Sequence, residues 1–189
     1  MTKFIVITGA SKGIGRAAAD ALVEQDWSVI GVARSSPRSF PGVFIKTDLA
    51  DNKQTRALAD DLAARGDVLG IVNNVGVSRH ETIDTVDPGA FAAVMDLNVR
   101  PALQLTQALL PGMRAARFGR IINVTSLVTR GLAYRSSYAA AKAALESITR
   151  TMAIELAADG VTANAVQDPP KRSYSVPTVR RAVKGKPAI

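Results

Sequence analysis

The stretch Thr8-Gly9-Ala10-Ser11-Lys12-Gly13-Ile14-Gly15 decides how this chain folds. Before it stands Phe4-Ile5-Val6-Ile7, a continuous apolar run of the kind needed by a parallel strand covered on both faces. After it, Gly15 to Gln25 is dense in alanine and reads as a helix. Gly9 allows a tight turn, Gly13 lets a pyrophosphate approach the backbone, and Gly15 lets the helix pack closely on the strand. The helix start offers free N–H groups and a positive dipole end to that phosphate. A glycine triplet alone is weak; in this strand–turn–helix setting it points to a dinucleotide. Lys12 precedes Gly13 and no Gly-Lys-Ser/Thr follows, which disfavours a phosphate-loop ATPase or kinase.

The same alternation continues outward. Trp27 to Val32 reads as a second strand and Val43 to Lys46 as a third. Ser36 to Gly42, with two prolines and a glycine, leaves no room for a full helix between them. Thr55 to Arg65 is helical, with Leu58 and Leu62 on one face, and Leu69 to Val72 is a fourth strand. Gly89 to Pro111 carries one long helical pattern that Pro101 is expected to bend or split. Arg120 to Val124 is a fifth strand, Ser137 to Leu156 an amphipathic helix, and Val161 to Val166 a sixth strand. This rhythm predicts one open α/β domain with a mostly parallel sheet of six strands and helices on both faces. Residues 1–166 form that domain in this reading, and residues 167–189 a basic C-terminal segment.

Composition narrows the chemistry. The 189 residues include 47% hydrophobic and 21% charged side chains, which excludes a mostly disordered or collagen-like chain. There is no apolar run of about 18 residues, so no membrane-spanning helix is expected. The start reaches glycines and Lys12 too early for a secretory leader, which makes the cytoplasm the expected compartment. Zero cysteines remove disulfides, thiol catalysis and Cys-ligated zinc, and His80 is the single histidine, so no metal site is expected. Of the net +8, residues 168–189 carry +5, through Lys171, Arg172, Arg180, Arg181, Lys184 and Lys186 against Asp168. A solvated basic tail is the preferred reading over a nucleic-acid contact, because Tyr174 is the tail's one ring and no nucleic-acid motif accompanies it.

Two further groups sharpen the site. Strand two ends in Val32-Ala33-Arg34, with no acid to hold the adenosine ribose hydroxyls; Arg34 and Lys12 suit a 2′-phosphate instead, which favours NADP(H) over NAD(H). Asp48, after strand three, is either a helix cap or an acceptor for the adenine amino group. Tyr138 and Lys142 lie four apart on one helical face, and Ser126 stands at the carboxyl end of strand five, where open α/β sheets bind ligands. A serine there can polarise a carbonyl, a tyrosine can deliver the proton, and a lysine can favour the phenolate. Thr8 and Asn73 are expected to brace turns, and Arg130, Tyr134 and His80 suit loop or substrate-mouth positions.

These motifs together resemble the short-chain dehydrogenase/reductase family. Thr8 to Gly15 is similar to its TGxxxGxG cofactor turn, Asp48-Leu49 to its adenine-contacting pair, and Asn73-Asn74-Val75-Gly76 to its NNAG motif with valine for alanine. Asn98, in Asp96-Leu97-Asn98-Val99, resembles the asparagine that supports a water-linked proton relay to the lysine. Ser126, Tyr138 and Lys142 match the catalytic trio in order and spacing, and the likeness covers residues 3 to about 166. It implies a Rossmann-type doubly wound parallel sheet, a homo-oligomer (dimer or tetramer) built on the two long helices, and a small carbonyl or alcohol substrate. It also implies cofactor contacts from Gly9, Ser11, Lys12, Gly13, Ile14, Gly15, Arg34, Asp48, Leu49, Asn74, Gly76, Tyr138 and Lys142. Within the family, the sequence resembles the 3-oxoacyl-[acyl-carrier-protein] reductase branch.

One departure stands at the end. Gln167-Asp168-Pro169-Pro170 replaces the family's Pro-Gly turn beside the nicotinamide, and the usual lid, last helix and last strand are not expected in the residues that follow. The leading expectation is an NADP-dependent oxidoreductase interconverting a carbonyl and a secondary alcohol. The alternative is a catalytically impaired nucleotide-binding homologue acting through protein–protein contacts.

Overall fold

A computed structural model describes residues 3–168 and 182–184. The basic segment read from the sequence therefore lies almost wholly outside the described residues. Six strands form one parallel sheet: β1 (Phe4–Thr8), β2 (Ser28–Ala33), β3 (Val43–Lys46), β4 (Val68–Asn73), β5 (Gly119–Ser126) and β6 (Val161–Asp168). Their spatial order is β3-β2-β1-β4-β5-β6, so the chain runs outward to one edge and then restarts beside β1. That reversal between β1 and β4 places a ligand crevice at the carboxyl ends of these two strands.

Four helices connect the strands: α1 (Gly13–Val23), α2 (Asn52–Arg65), α3 (Pro88–Ala115) and α4 (Ser136–Leu156). Side chains alternate across each strand, so the two sheet faces build separate cores. Val6, Ile30, Ile71 and Ile121 pack against Leu58 and Leu62 of α2, Leu105, Leu109 and Met113 of α3, and Leu156 of α4. Ile5, Ile7, Val72, Ile122 and Val166 face the other way, against Ala18, Ala19 and Leu22 of α1 and Ala182 and Val183. The doubly wound sheet is thus the one the sequence rhythm implies, and the described residues contain no seventh strand.

One local feature departs from simple expectation and another follows it. Helix α3 is not split at Pro101: it runs unbroken for 28 residues with both Pro101 and Pro111 inside. A proline within a helix costs about 3 kcal/mol. Val94 and Asn98 before it, and Leu105, Leu109 and Met113 after it, bury the same face. Each large apolar side chain so buried returns about 1.5–3 kcal/mol, which holds the helix together across the proline. The β2–β3 crossover indeed holds no helix. Phe40 covers the sheet there, packed edge-on to Phe44 with ring centroids 5.2 Å apart. Gly31 makes room for it, since a Cβ at Gly31 would lie 2.4 Å from the Phe40 ring.

Candidate active site

The glycine turn leaves β1 with Gly9 at φ +66° and enters α1 through Gly13 at φ +59°, left-handed backbone that glycine adopts without penalty. A Cβ on Gly15 would stand 2.4 Å from the Gly9 carbonyl oxygen, so turn and helix touch backbone to backbone. Thr8 closes the turn from below: its hydroxyl accepts from the amides of Asn74 and Val75, both at 2.9 Å. Asn74 answers by donating its side-chain amide to the carbonyls of Thr8 (2.9 Å) and Gly9 (3.3 Å). The loops after β1 and β4 are thereby locked together across the crevice. Lys12, the residue before α1, makes no side-chain cap bond. The first amides of α1 have no partner inside the helix. A pyrophosphate fits that end, as the sequence implies.

On the adenosine side, Arg34 and Lys12 are both exposed, Arg34 directly following β2. Asp48 is not the helix cap. Asp51 fills that role for α2, accepting from the amides of Lys53 (2.8 Å) and Gln54 (3.3 Å). The Gln54 contacts and the Lys53 amide hold its carboxyl below the ordinary 3.8. Asp48 instead folds onto its own turn, accepting from the Ala50 amide at 3.0 Å. Leu49 buries its side chain in the core at 2% exposure, so its backbone is what remains for a ligand. Arg100 of α3, which the sequence reading passed over, donates to the carbonyls of Leu49 (3.0 Å) and Ala50 (3.1 Å) and pairs with Asp96 at 2.8 Å. It clamps the Asp48–Leu49 turn to α3.

The reactive groups come from α3, β5 and α4. Ser126 ends β5, almost buried, with its hydroxyl 3.4 Å from the Val128 amide at the start of a short 3-10 turn. Lys142 lies one helical turn after Tyr138 and is 2% exposed. Its ammonium donates to the Val124 carbonyl at 2.7 Å, two residues before Ser126, and sits 5.5 Å from the Tyr138 ring centre. Asn98 is also 2% exposed and donates to the carbonyls of Val77 (3.0 Å) and Val94 (2.8 Å). Its Oδ1 is buried with no hydrogen-bond partner among the described residues. A Cβ on Gly76 would lie 2.5 Å from that oxygen and 3.4 Å from the Lys142 ammonium nitrogen. Gly76, Asn98 and Lys142 therefore converge on one point, with a buried acceptor oxygen and a cation both close to it.

Asn73 does not brace a turn. Its amide donates to Asn123 Oδ1 at 2.8 Å and to the Thr106 hydroxyl at 3.3 Å, and Asn123 passes the chain on to Thr149 at 2.8 Å. This buried ladder ties β4 and β5 to α3 and α4 beneath the site. No local sequence signal marks it, because each partner is at least 26 residues from the next. His80 and Tyr134 are exposed and stacked on each other with centroids 4.8 Å apart, and Arg130 is exposed as well.

A family profile described as short chain dehydrogenase matches residues 3–178. The chain belongs to this family. Among the short-chain dehydrogenases, the 3-oxoacyl-[acyl-carrier-protein] reductase of Vibrio harveyi is 37% identical over 176 residues, 87% of this chain and 71% of that enzyme. The Vibrio cholerae reductase of the same description is 38% identical, with the same shares covered. A solved structure from Beutenbergia cavernae, assigned as an NAD(P)-dependent gluconate 5-dehydrogenase and holding NADP at low occupancy, superposes with a TM-score of 0.83. It is 29% identical, with 88% of this chain and 72% of that one covered. The chain is therefore a member of an oxidoreductase family whose fold and motifs it carries through β6.

Proposed function

We propose that the protein is an NADP(H)-dependent oxidoreductase that interconverts a carbonyl and a secondary alcohol, similar in reaction to the 3-oxoacyl-[acyl-carrier-protein] reductases. The observation that carries this is the Lys142 ammonium, held 2.7 Å from the Val124 carbonyl and 5.5 Å from the Tyr138 ring, beside the vacant acceptor of Asn98. When bound, NADPH would supply the hydride. The amides of Gly13, Ile14 and Gly15, with Ser11, would hold its pyrophosphate; Asn74 and Gly76 would border the nicotinamide side, and Lys12 and Arg34 would read the 2′-phosphate. Asp48 and the Leu49 backbone would meet the adenine.

In the reductive direction Ser126 donates a hydrogen bond to the substrate carbonyl oxygen. Tyr138 gives its phenolic proton to that oxygen as charge develops there. The positive charge of Lys142 stabilises the phenolate left behind, and Asn98 Oδ1 holds the water or hydroxyl through which the proton is replaced. Residues 1–166 do this work as one unit, in the cytoplasm. The substrate is a small carbonyl compound or the corresponding alcohol, and the working form is a homo-oligomer.

The test is Tyr138→Phe, which keeps the ring and removes only the proton. Carbonyl-dependent NADPH oxidation should fall by about 10²–10⁴-fold with NADPH affinity nearly unchanged. Undiminished turnover would remove Tyr138 from the mechanism. Tight NADPH binding with no turnover by the wild type on any carbonyl would leave the nucleotide-binding homologue as the reading.

A further inference from the structure

Helix α4 presents Tyr138 in its first turn, and that turn has no side-chain cap of its own. Its N-cap residue is Arg135, which makes no side-chain cap bond. Immediately before it, Tyr134 is held at φ +65°, a left-handed conformation that is unfavourable for an aromatic residue. A helix start with no cap of its own and a strained entry must be held from outside.

The holding group is Glu81, 56 residues away on the loop after β4. Its Oε1 accepts the Ser137 amide at 2.8 Å and also the Ser137 hydroxyl, in a short contact. Ser137 is the second residue of α4, so this is the bond an N-cap side chain ordinarily accepts, supplied here by another element. Glu81 is 9% exposed and Ser137 fully buried, so water does not compete freely for either. Ser137 holds the Glu81 carboxyl below the ordinary 4.5, and the charge of Arg79 adds to this against the opposing effect of burial. Two further bonds zip the same segments together. The Glu81 amide donates to the Tyr134 carbonyl at 3.2 Å, and the Arg135 guanidinium donates to the Arg79 carbonyl at 2.9 Å. The same loop leaves β4 after Asn73, and its Val77 carbonyl accepts from Asn98 at 3.0 Å.

We infer that Glu81 is a positioning residue for the reaction: it caps α4 from the β4–α3 loop and so fixes Tyr138 relative to Lys142, Asn98 and the cofactor cleft. The loop from Gly76 to Glu81 is a splint, tied to α3 at one end and to α4 at the other. Ser137 precedes Tyr138 directly, so release of its amide frees the backbone that carries the phenol. Lys142, bound to Val124 a turn later, stays where it is. The expected fault is thus a misplaced acid in an otherwise intact site.

This inference rests on the carbonyl-reductase reading, and its test separates the two. Glu81→Ala and Glu81→Gln in the full chain are compared by NADPH-oxidation kinetics and by hydrogen exchange of the Ser137 amide. The alanine variant should lose about tenfold to a hundredfold in kcat, the scale of an ångström-level misplacement, with KM for NADPH within about twofold of wild type. Glutamine keeps an acceptor oxygen at the same reach and should restore kcat to within about threefold of wild type. Ser137 exchange should accelerate in the alanine variant alone, while amides of β5 keep their wild-type rates. Wild-type kcat in Glu81→Ala, an equal loss in both variants, or faster exchange throughout β5 would each overturn the positioning role. If wild type turns over no carbonyl, the reductase reading fails by itself; unchanged Ser137 exchange in Glu81→Ala would then sink the anchor separately.

Discussion

At Gly76 one missing methyl group shapes the cleft, because a Cβ there would collide with Asn98 Oδ1 at 2.5 Å. The same economy governs the nucleotide end, where specificity rests on charge. Arg34 follows β2 exposed, and Lys12 stands exposed in the glycine turn. Neither belongs to an ion pair among the described residues, so neither charge is neutralised by a side-chain acid. In the proposed reading both meet the 2′-phosphate. Arg34→Asp removes a charge-assisted contact of about 1.5–3 kcal/mol and adds a like charge beside the phosphate. NADPH affinity should fall by more than about tenfold and NADH affinity should change little. Fluorescence titration with each nucleotide measures this, and equal losses for both would show that Arg34 does not read the phosphate.

At the scale of elements, α2 shows how a short signal sets a boundary. The helix begins at Asn52 because Asp51 caps it, and ends where Gly66 turns left-handed at φ +69°. Asp51 binds its proton less readily in the folded chain than in the unfolded one. A depressed carboxylate stabilises the fold above its unfolded value, near 3.8, and that contribution is lost as pH falls through the lower folded value. Asp51→Asn should therefore lower the melting temperature at pH 6–7, with the gap to wild type closing as pH drops below about 3.8. A gap independent of pH would assign the effect to helix propensity instead. Elements of this kind were legible in the sequence because their causes are local: apolar runs for β1 and β4, the glycine turn for α1, prolines in place of a helix before β3. The placement of Ser126, Tyr138 and Lys142 was legible for the same reason, each position being set by one strand or helix. That α3 is not split at Pro101 was not legible, because the packing that carries it through lies on other elements. The Asn73–Asn123–Thr149 ladder and the Glu81 cap left no trace, since each joins segments whose adjacency only the folded sheet creates.

The whole molecule adds a question of assembly. No helix among the described residues is long and apolar enough to cross a membrane. Even so, α4 presents Ile154 to solvent at 81% exposure, on the side turned away from the buried Leu145, Thr149 and Leu156. A large aliphatic group so placed gains about 1.5–3 kcal/mol when a partner covers it. Helix α3 packs beside α4, so a two-fold axis through this surface would bring four helices together and bury each Ile154 against its partner. The proposed homo-oligomer would use this face, and it would also stiffen α4, the helix that carries Tyr138 and Lys142. Ile154→Asp places a charge in that seam, where desolvating it without a partner is costly. Light scattering should then report a shift from an oligomeric mass to that of a 19.9 kDa monomer, with the melting temperature of the separated subunit lowered. A monomeric wild type at high concentration, or an oligomer unchanged by the aspartate, would place the contact elsewhere or abolish it.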